Sequence, residues 1–285
     1  MTIQFQNQTL NPLIANLEIF KAYQQSPYLS LKHSAYFQVY EELLSQYRGK
    51  SITFVEVGVL NGGSLFMWRN FFGPQARIIG IDFNPLAKHW EQDGFEIYIG
   101  SQSSSDFWKN FFSAVGPVDV LLDDGGHTNE QQIVTTHEAI PFIKDGGLLL
   151  VEDVHTSYFK DFGNPSKYSF INYAKQFVDV VNSRFPGVQP APQARFKKAV
   201  YSVHFYDSIV GLSVDRTKCF TSSWTSNEGQ TFEAEDYRHH DSAARQLNQA
   251  LIKTFHKVGL KVSMGKFLKL VEAPLVKNRL KRFFK

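Results

Sequence analysis

Two stretches of the chain set acids directly after apolar runs. In "VDVLLDDGGHTNE", residues 118–130, the run ends in Asp123 and Asp124, followed by two glycines and His127. In "GLLLVEDVHTSY", residues 147–158, a second run ends in Glu152 and Asp153. Carboxylates accept hydrogen bonds from hydroxyls and ligate hard cations, while an imidazole exchanges a proton near neutral pH. A third stretch, "VEVGVLNGGS", carries Glu56, Gly58, Gly62, Gly63 and Ser64, and Asp82 closes "RIIGID". These residues offer cation binding, proton transfer and recognition of a polar cofactor, provided the fold gathers them.

The elements that must position them follow from periodicity. Short apolar runs at 52–58, 77–82, 94–99, 118–122 and 147–151 read as strands. Helical patterns lie between them, starting near Ser64 and covering 105–114 and 129–143. Strands this apolar are buried on both faces, so the alternation predicts a doubly wound, mostly parallel α/β sheet of the Rossmann-like kind. Apolar residues at helical spacing predict two helices over 11–48, divided at Pro27. A further helix is expected near 168–184, and "SVHFYDSIVGLSV", residues 202–214, reads as a late hairpin. The expected division is an N-terminal helical extension over 1–50, a cofactor-binding domain over 51–215, and a polar C-terminal segment with a basic tail over 216–285.

In such a sheet the fourth and fifth strands are neighbours, about 4.8 Å apart. Their carboxyl ends face the ligand edge, so Asp123, Asp124, Glu152 and Asp153 converge. Unpaired acids at that spacing repel one another and take up protons. A divalent cation relieves this, and oxygen ligands suit Mg²⁺, with Mn²⁺ or Ca²⁺ as substitutes. Pairing with Arg or Lys, or capping of the following helices, is the alternative.

The glycine turn lacks the G-x-G-x-x-G spacing of a dinucleotide site, and Glu56 beside it would repel a phosphate. S-adenosylmethionine has no phosphate and carries an ammonium and a sulfonium, which an acid tolerates. Asp82, at the end of the second strand, is placed to accept hydrogen bonds from a ribose diol.

Composition bounds the rest. The chain has 285 residues, 43% of them hydrophobic and 20% charged, as in a globular protein. With one cysteine, Cys219, no internal disulfide forms, and a cytoplasmic setting is expected. Neither a signal peptide nor a membrane span is legible. Residues 251–285 hold ten Lys/Arg and one Glu, against 20 basic and 26 acidic residues elsewhere. After Pro274, Leu275, Val276, Leu280, Phe283 and Phe284 share a helical face opposite basic residues, a pattern suited to peripheral membrane contact. Nucleic acid is not expected, since no basic stripe with interleaved aromatics runs through the body.

Together "EVGVLNGGSL", "GIDFNP", "LLDDGGH", "DGGLLLVEDVHTSY" and "SVHFYDSIV" resemble the metal-dependent class I S-adenosylmethionine O-methyltransferases of the macrocin and mycinamicin type, with cephalosporin hydroxylase-like proteins as relatives. The resemblance covers about Lys32 to Lys218 and implies O-methylation of a sugar hydroxyl. It implies magnesium ligands at Asp124, Glu152 and Asp153, and a general base at His127. It implies cofactor contacts at Glu56, Gly58, Gly62, Ser64, Asp82, Ser101 and Gln102, with Asp123 facing the cofactor's amino-acid end. Gly126 departs from the serine frequent in the family. So does the short segment before the first strand, since the macrolide enzymes carry a substantial N-terminal domain used in assembly. The expected partners are a small-molecule or glycan acceptor and further copies of the chain. The oxygenase alternative would need two histidines and one carboxylate, a set not evident in the sequence. A non-catalytic cofactor-binding partner protein is the reading from outside enzymology, and the intact acids and His127 argue against it.

Overall fold

The computed structural model describes residues 12–162, 166–232, 277–278 and 280–284. A first compact unit spans Met1–Ser223 and a second spans Trp224–Lys285. The first holds a seven-stranded sheet: β1 (Thr53–Val57), β2 (Arg77–Asp82), β3 (Glu96–Ile99), β4 (Val118–Asp123), β5 (Ile143–Val151), β6 (Val200–Tyr206) and β7 (Ile209–Val214). Their order across the sheet is β3-β2-β1-β4-β5-β7-β6. The first five strands pair in parallel, while β7 runs antiparallel to both β5 and β6. The doubly wound expectation and the late hairpin are both met.

Side chains alternate across the sheet, and each face builds its own core. Phe54, Val120 and Leu122 point to one side, toward α2 (Glu18–Gln24), α3 (Tyr36–Leu44) and α4 (Gly63–Phe72). Val55, Val57 and Leu121 point to the other, toward α5 (Ser105–Val115), α6 (Asn129–Ala139) and α7 (Phe170–Asn182). Local chemistry sets the helix starts. Ser104 caps α5 and Ser169 caps α7, while Thr128 and Gln131 form a reciprocal capping box on α6.

One expectation changes. The helical pattern over 11–48 is broken into α1 (Pro12–Ala15), α2 and α3, and residues 26–33 have no regular secondary structure. Pro27 accounts for this, since it disfavours helix at the residue before it. In this N-terminal region Ile19, Tyr36, Tyr40 and Leu44 are buried in one core with Phe54 and Trp68. Just past the boundary expected at residue 215, Arg216 donates to Asp145 and the carbonyls of Ile143 and Pro141, tying it to the sheet. The tail residues Leu275 and Val276 lie outside the described residues, whereas Leu280, Phe283 and Phe284 are exposed. No helix among the described residues is long and apolar enough to cross a membrane.

Candidate active site

The carboxyl ends of β1, β2, β4 and β5 open on a cleft of about 980 Å³. The irregular segment Leu29–His33 lines its N-terminal side. Three non-glycine residues lining it hold left-handed backbone: Leu60 at φ 45°, His127 at φ 59° and Asp153 at φ 53°. Such conformations persist where surrounding structure enforces them, and they concentrate at functional sites.

The glycine turn is tied to both neighbouring strands. The Gly58 N–H donates to the Ile81 carbonyl at 2.8 Å, and the Asp124 N–H donates to the Val57 carbonyl at 3.0 Å. Asp82 staples the turn from β2: its Oδ2 accepts from the N–H groups of Val59 and Leu60 at 2.9 and 3.1 Å. Its Oδ1 accepts from the Asn84 N–H at 2.8 Å. Asp82 lines the cleft as expected, with lone pairs left for a diol. Gly58, Ser64, Ser101 and Gln102 line it too.

Gln102 joins the end of β3 to the acidic turn after β4. Its amide donates to Asp123 Oδ1 at 2.9 Å, and its carbonyl oxygen accepts from the Gly126 N–H at 2.8 Å. A Cβ on Gly126 would overlap the side-chain end of Gln131, which would have to shift from its bonds to Thr128 to admit a serine.

Three residues expected as cofactor contacts lie behind the cleft wall. Glu56 is fully buried and turned toward α4, where its oxygens accept from Ser64 Oγ at 2.7 Å and Trp68 Nε1 at 2.9 Å. Gly62 packs against the Trp90 ring. Asp123 is buried, and its Oδ1 holds Gln102 and the Gly125 N–H, which shapes the turn. None of the three lines the cleft. Burial pushes the Glu56 carboxyl up to about 7 and the Asp123 carboxyl above its ordinary value.

The acids do converge, and β5 delivers them in register. Asp123 pairs with Val151, and the Glu152 N–H donates to the Asp123 carbonyl at 2.9 Å. Ligand atoms of Asp124, His127 and Asp153 all lie within 4.8 Å of one another. His127 Nε2 is 3.3 Å from Asp153 Oδ2, and its buried Nδ1 has no hydrogen-bond partner. Oxygen-rich and partly open to solvent, this group suits a hard divalent cation.

Glu152, expected as a third ligand, lines the same cleft and is held from two sides. Its Oε1 accepts from the Tyr40 hydroxyl and its Oε2 accepts from Lys32 Nζ at 2.9 Å, both within a fully buried setting. The same ammonium donates to Asp124 Oδ2 at 2.5 Å and lies 3.9 Å from Glu56 Oε1. Burial opposes the charge on Lys32, but Asp124, Glu152 and Glu56 outweigh it and hold the ammonium's pKa well above the ordinary lysine range. The Tyr36 hydroxyl donates to Asp153 Oδ1, fixing the outer acid from the same helix that carries Tyr40.

Lys32, Tyr36 and Tyr40 were not singled out in the sequence. Tyr36 and Tyr40 sit four apart and read as part of an apolar helical face. The signal that would have found Lys32 is a charge ledger, since buried acids on two strand ends demand a buried cation. His155, which looked unremarkable, lies with Nδ1 3.8 Å from Asp153 Oδ1 and 2.5 Å from Ser208 Oγ. His33, Asp153 and His155 thus assemble the two histidines and one carboxylate that the sequence did not make evident, at a more exposed position. The Tyr206 hydroxyl donates to Glu42 at 2.8 Å.

This is the class I methyltransferase fold. Residues 55–154 match the family model described as a methyltransferase domain. It is also similar in sequence to sugar O-methyltransferases of natural-product pathways. One is the 8-demethyl-8-alpha-L-rhamnosyl tetracenomycin-C 2'-O-methyltransferase of Streptomyces olivaceus, 27% identical over 64% of this chain and 52% of that protein. Another is the demethylmacrocin O-methyltransferase of Streptomyces fradiae, 27% identical over 67% of this chain and 49% of that protein. Among solved structures, the MycE methyltransferase of the mycinamycin pathway, in complex with Mg, SAH and mycinamycin VI, superimposes with a TM-score of 0.60. It is 22% identical, over 75% of this chain and 56% of that one. The chain spans about half the length of the curated relatives it matches.

Proposed function

We propose that the chain is an S-adenosylmethionine-dependent O-methyltransferase that works with a divalent cation, Mg²⁺ or Mn²⁺, on a sugar hydroxyl of a glycosylated natural product or glycan. The observation that carries this is the convergence of Asp124, His127 and Asp153 on the cleft edge beside the glycine turn of a methyltransferase domain. The names of the relatives support the sugar acceptor, since they act on a rhamnosyl tetracenomycin and on demethylmacrocin.

The chemistry needs a better nucleophile than a neutral sugar hydroxyl. Asp124 and Asp153 would hold the cation, which supplies Lewis acidity at the acceptor oxygen. His127 takes the hydroxyl proton at Nε2, where the Asp153 carboxylate 3.3 Å away stabilises the imidazolium. Asp82 and the turn it staples hold the adenosine end of the donor. Tyr158 and Phe159, each about half exposed just after Asp153, offer flat faces for the sugar or its aglycone.

Calorimetric titration with S-adenosylmethionine, followed by incubation with a panel of glycosylated acceptors and mass spectrometry, tests the reading. Saturable donor binding and a singly methylated acceptor are expected. Absence of donor binding would refute it.

A further inference from the structure

Asp153 presents its two oxygens to two different groups of side chains. Oδ2 faces His127 at 3.3 Å, in the group that includes Asp124. Oδ1 faces His33 and His155, whose Nε2 and Nδ1 lie 3.9 and 3.8 Å away. One ligand atom from each of His33, Asp153 and His155 lies within 4.8 Å of the others. Neither of these histidines has a part in the methyl transfer proposed above.

The fold fixes this second group from two directions. Lys32, the residue before His33, is anchored in the interior on Asp124 and Glu152, at 2.5 and 2.9 Å. The Tyr36 N–H donates to the His33 carbonyl at 3.0 Å. The His33 ring therefore stands on the cleft wall, with its centroid 5.3 Å from that of Tyr36 and 5.6 Å from that of His155. His155 follows Asp153 by two residues after β5. From the turn between β6 and β7, Ser208 Oγ meets its Nδ1 at 2.5 Å. The Tyr36 hydroxyl contacts both Asp153 Oδ1 and Ser208 Oγ.

We propose that His33, Asp153 and His155 form a second metal site, for Zn²⁺, joined to the hard-cation group at Asp124 by the shared Asp153 carboxylate. Two imidazole nitrogens and one carboxylate oxygen suit Zn²⁺, whereas Mg²⁺ takes oxygen ligands. Ligand atoms around a tetrahedral Zn²⁺ stand about 3.4 Å apart, and the His33 side chain, 68% exposed, can rotate to close the gap. Water takes the fourth position. The ion replaces only neutral hydroxyl partners, Ser208 at His155 and Tyr36 at Asp153. A cation on Oδ1 also draws charge from Oδ2, so Zn²⁺ here weakens hard-cation binding and the hold on the His127 imidazolium. The site itself stands apart from the methyl-transfer reading, and this inhibitory effect rests on it.

Titration of the full-length protein with Co²⁺, in excess Mg²⁺ and without donor or acceptor, tests the site. Visible absorption of Co²⁺ reports nitrogen ligation, and calorimetry with Zn²⁺ gives the affinity. One equivalent is expected to bind, with a Co²⁺ spectrum that added Zn²⁺ abolishes. His33→Ala and His155→Ala should each weaken binding by about tenfold or more, since loss of even a ligand's outer partner costs about that much. His127→Ala should retain the wild-type Zn²⁺ affinity. His33 is mostly exposed, so its variant keeps the fold and decides even where His155→Ala does not. Loss of binding in His127→Ala, with none in His33→Ala, would overturn the site by placing the ion with Asp124, and would leave the methyl-transfer reading intact. Absence of Co²⁺ and Zn²⁺ binding by wild type would also overturn it. Binding that depends on His33, in a protein that transfers no methyl group with any cation, supports the site and removes the function proposed above.

Discussion

Gly58→Ala isolates the contact that couples the cofactor turn to the catalytic acids. Gly58 has φ 91°, and a Cβ there would overlap the Asp124 carbonyl oxygen and lie 2.8 Å from its carbonyl carbon. Both are backbone atoms, so no rotamer change relieves the overlap. Gly73 provides a matched control, with the same φ of 91° and nothing within 4 Å of the added carbon. Placing alanine in such a backbone region costs about 1–3 kcal/mol, a term both variants share. Overpacking adds about 1–3 kcal/mol more, a term only Gly58→Ala carries. Urea unfolding should therefore show Gly58→Ala less stable than Gly73→Ala by that second amount. Gly58→Ala should also lose affinity for S-adenosylhomocysteine and Mn²⁺, because Asp124 moves with its carbonyl, while Gly73→Ala keeps both. Equal destabilisation of the two variants, with ligand binding intact in both, would refute the coupling.

Three further outcomes are expected. His127→Ala should lower kcat by about 10²–10⁴, the usual worth of a general base, with donor affinity by calorimetry unchanged; normal turnover would remove the base assignment. Folded Glu56 keeps its proton to about pH 7, whereas an ordinary glutamate titrates near 4.5, so stability from this group is present below pH 4.5 and is lost as pH rises through about 7. At about 1.4 kcal/mol per unit the gap is worth about 3 kcal/mol, and Glu56→Gln should flatten the decline of urea stability over that window; an unchanged slope would contradict it. Gln102→Ala removes the donor to Asp123 and the acceptor for the Gly126 N–H, and should cost about 1–3 kcal/mol while raising the KM for the acceptor, as a loosened turn would misplace His127. A change in stability with steady-state constants untouched would separate the turn from catalysis.

The sequence carried the sheet and the convergence of acids because both depend on short-range signals. Apolar runs ending in acids mark parallel strands and their ligand-facing ends, and β4 and β5 pair in the register that brings Asp124 beside Glu152. What it did not carry depends on contacts between distant segments. Glu56 looked like a ligand contact because it stands two residues before Gly58 in the glycine turn, yet Trp68 and Ser64 on the following helix claim both its oxygens. Lys32 lies 92 residues before Asp124 and 120 before Glu152, so no local pattern links them. Tyr36 and Tyr40 were legible as a buried helical face, but not as hydroxyl donors to Asp153 and Glu152. Asp82 shows the intermediate case: the position was legible, and its work in stapling Val59 and Leu60 was not.

Methyl transfer in the presence and absence of a chelator tests the central claim most directly. With S-adenosylmethionine, a glycosylated acceptor and Mg²⁺, the protein should form the O-methylated sugar. EDTA should abolish the transfer, and added Mg²⁺ or Mn²⁺ should restore it. Full transfer in EDTA would contradict the role assigned to Asp124 and Asp153.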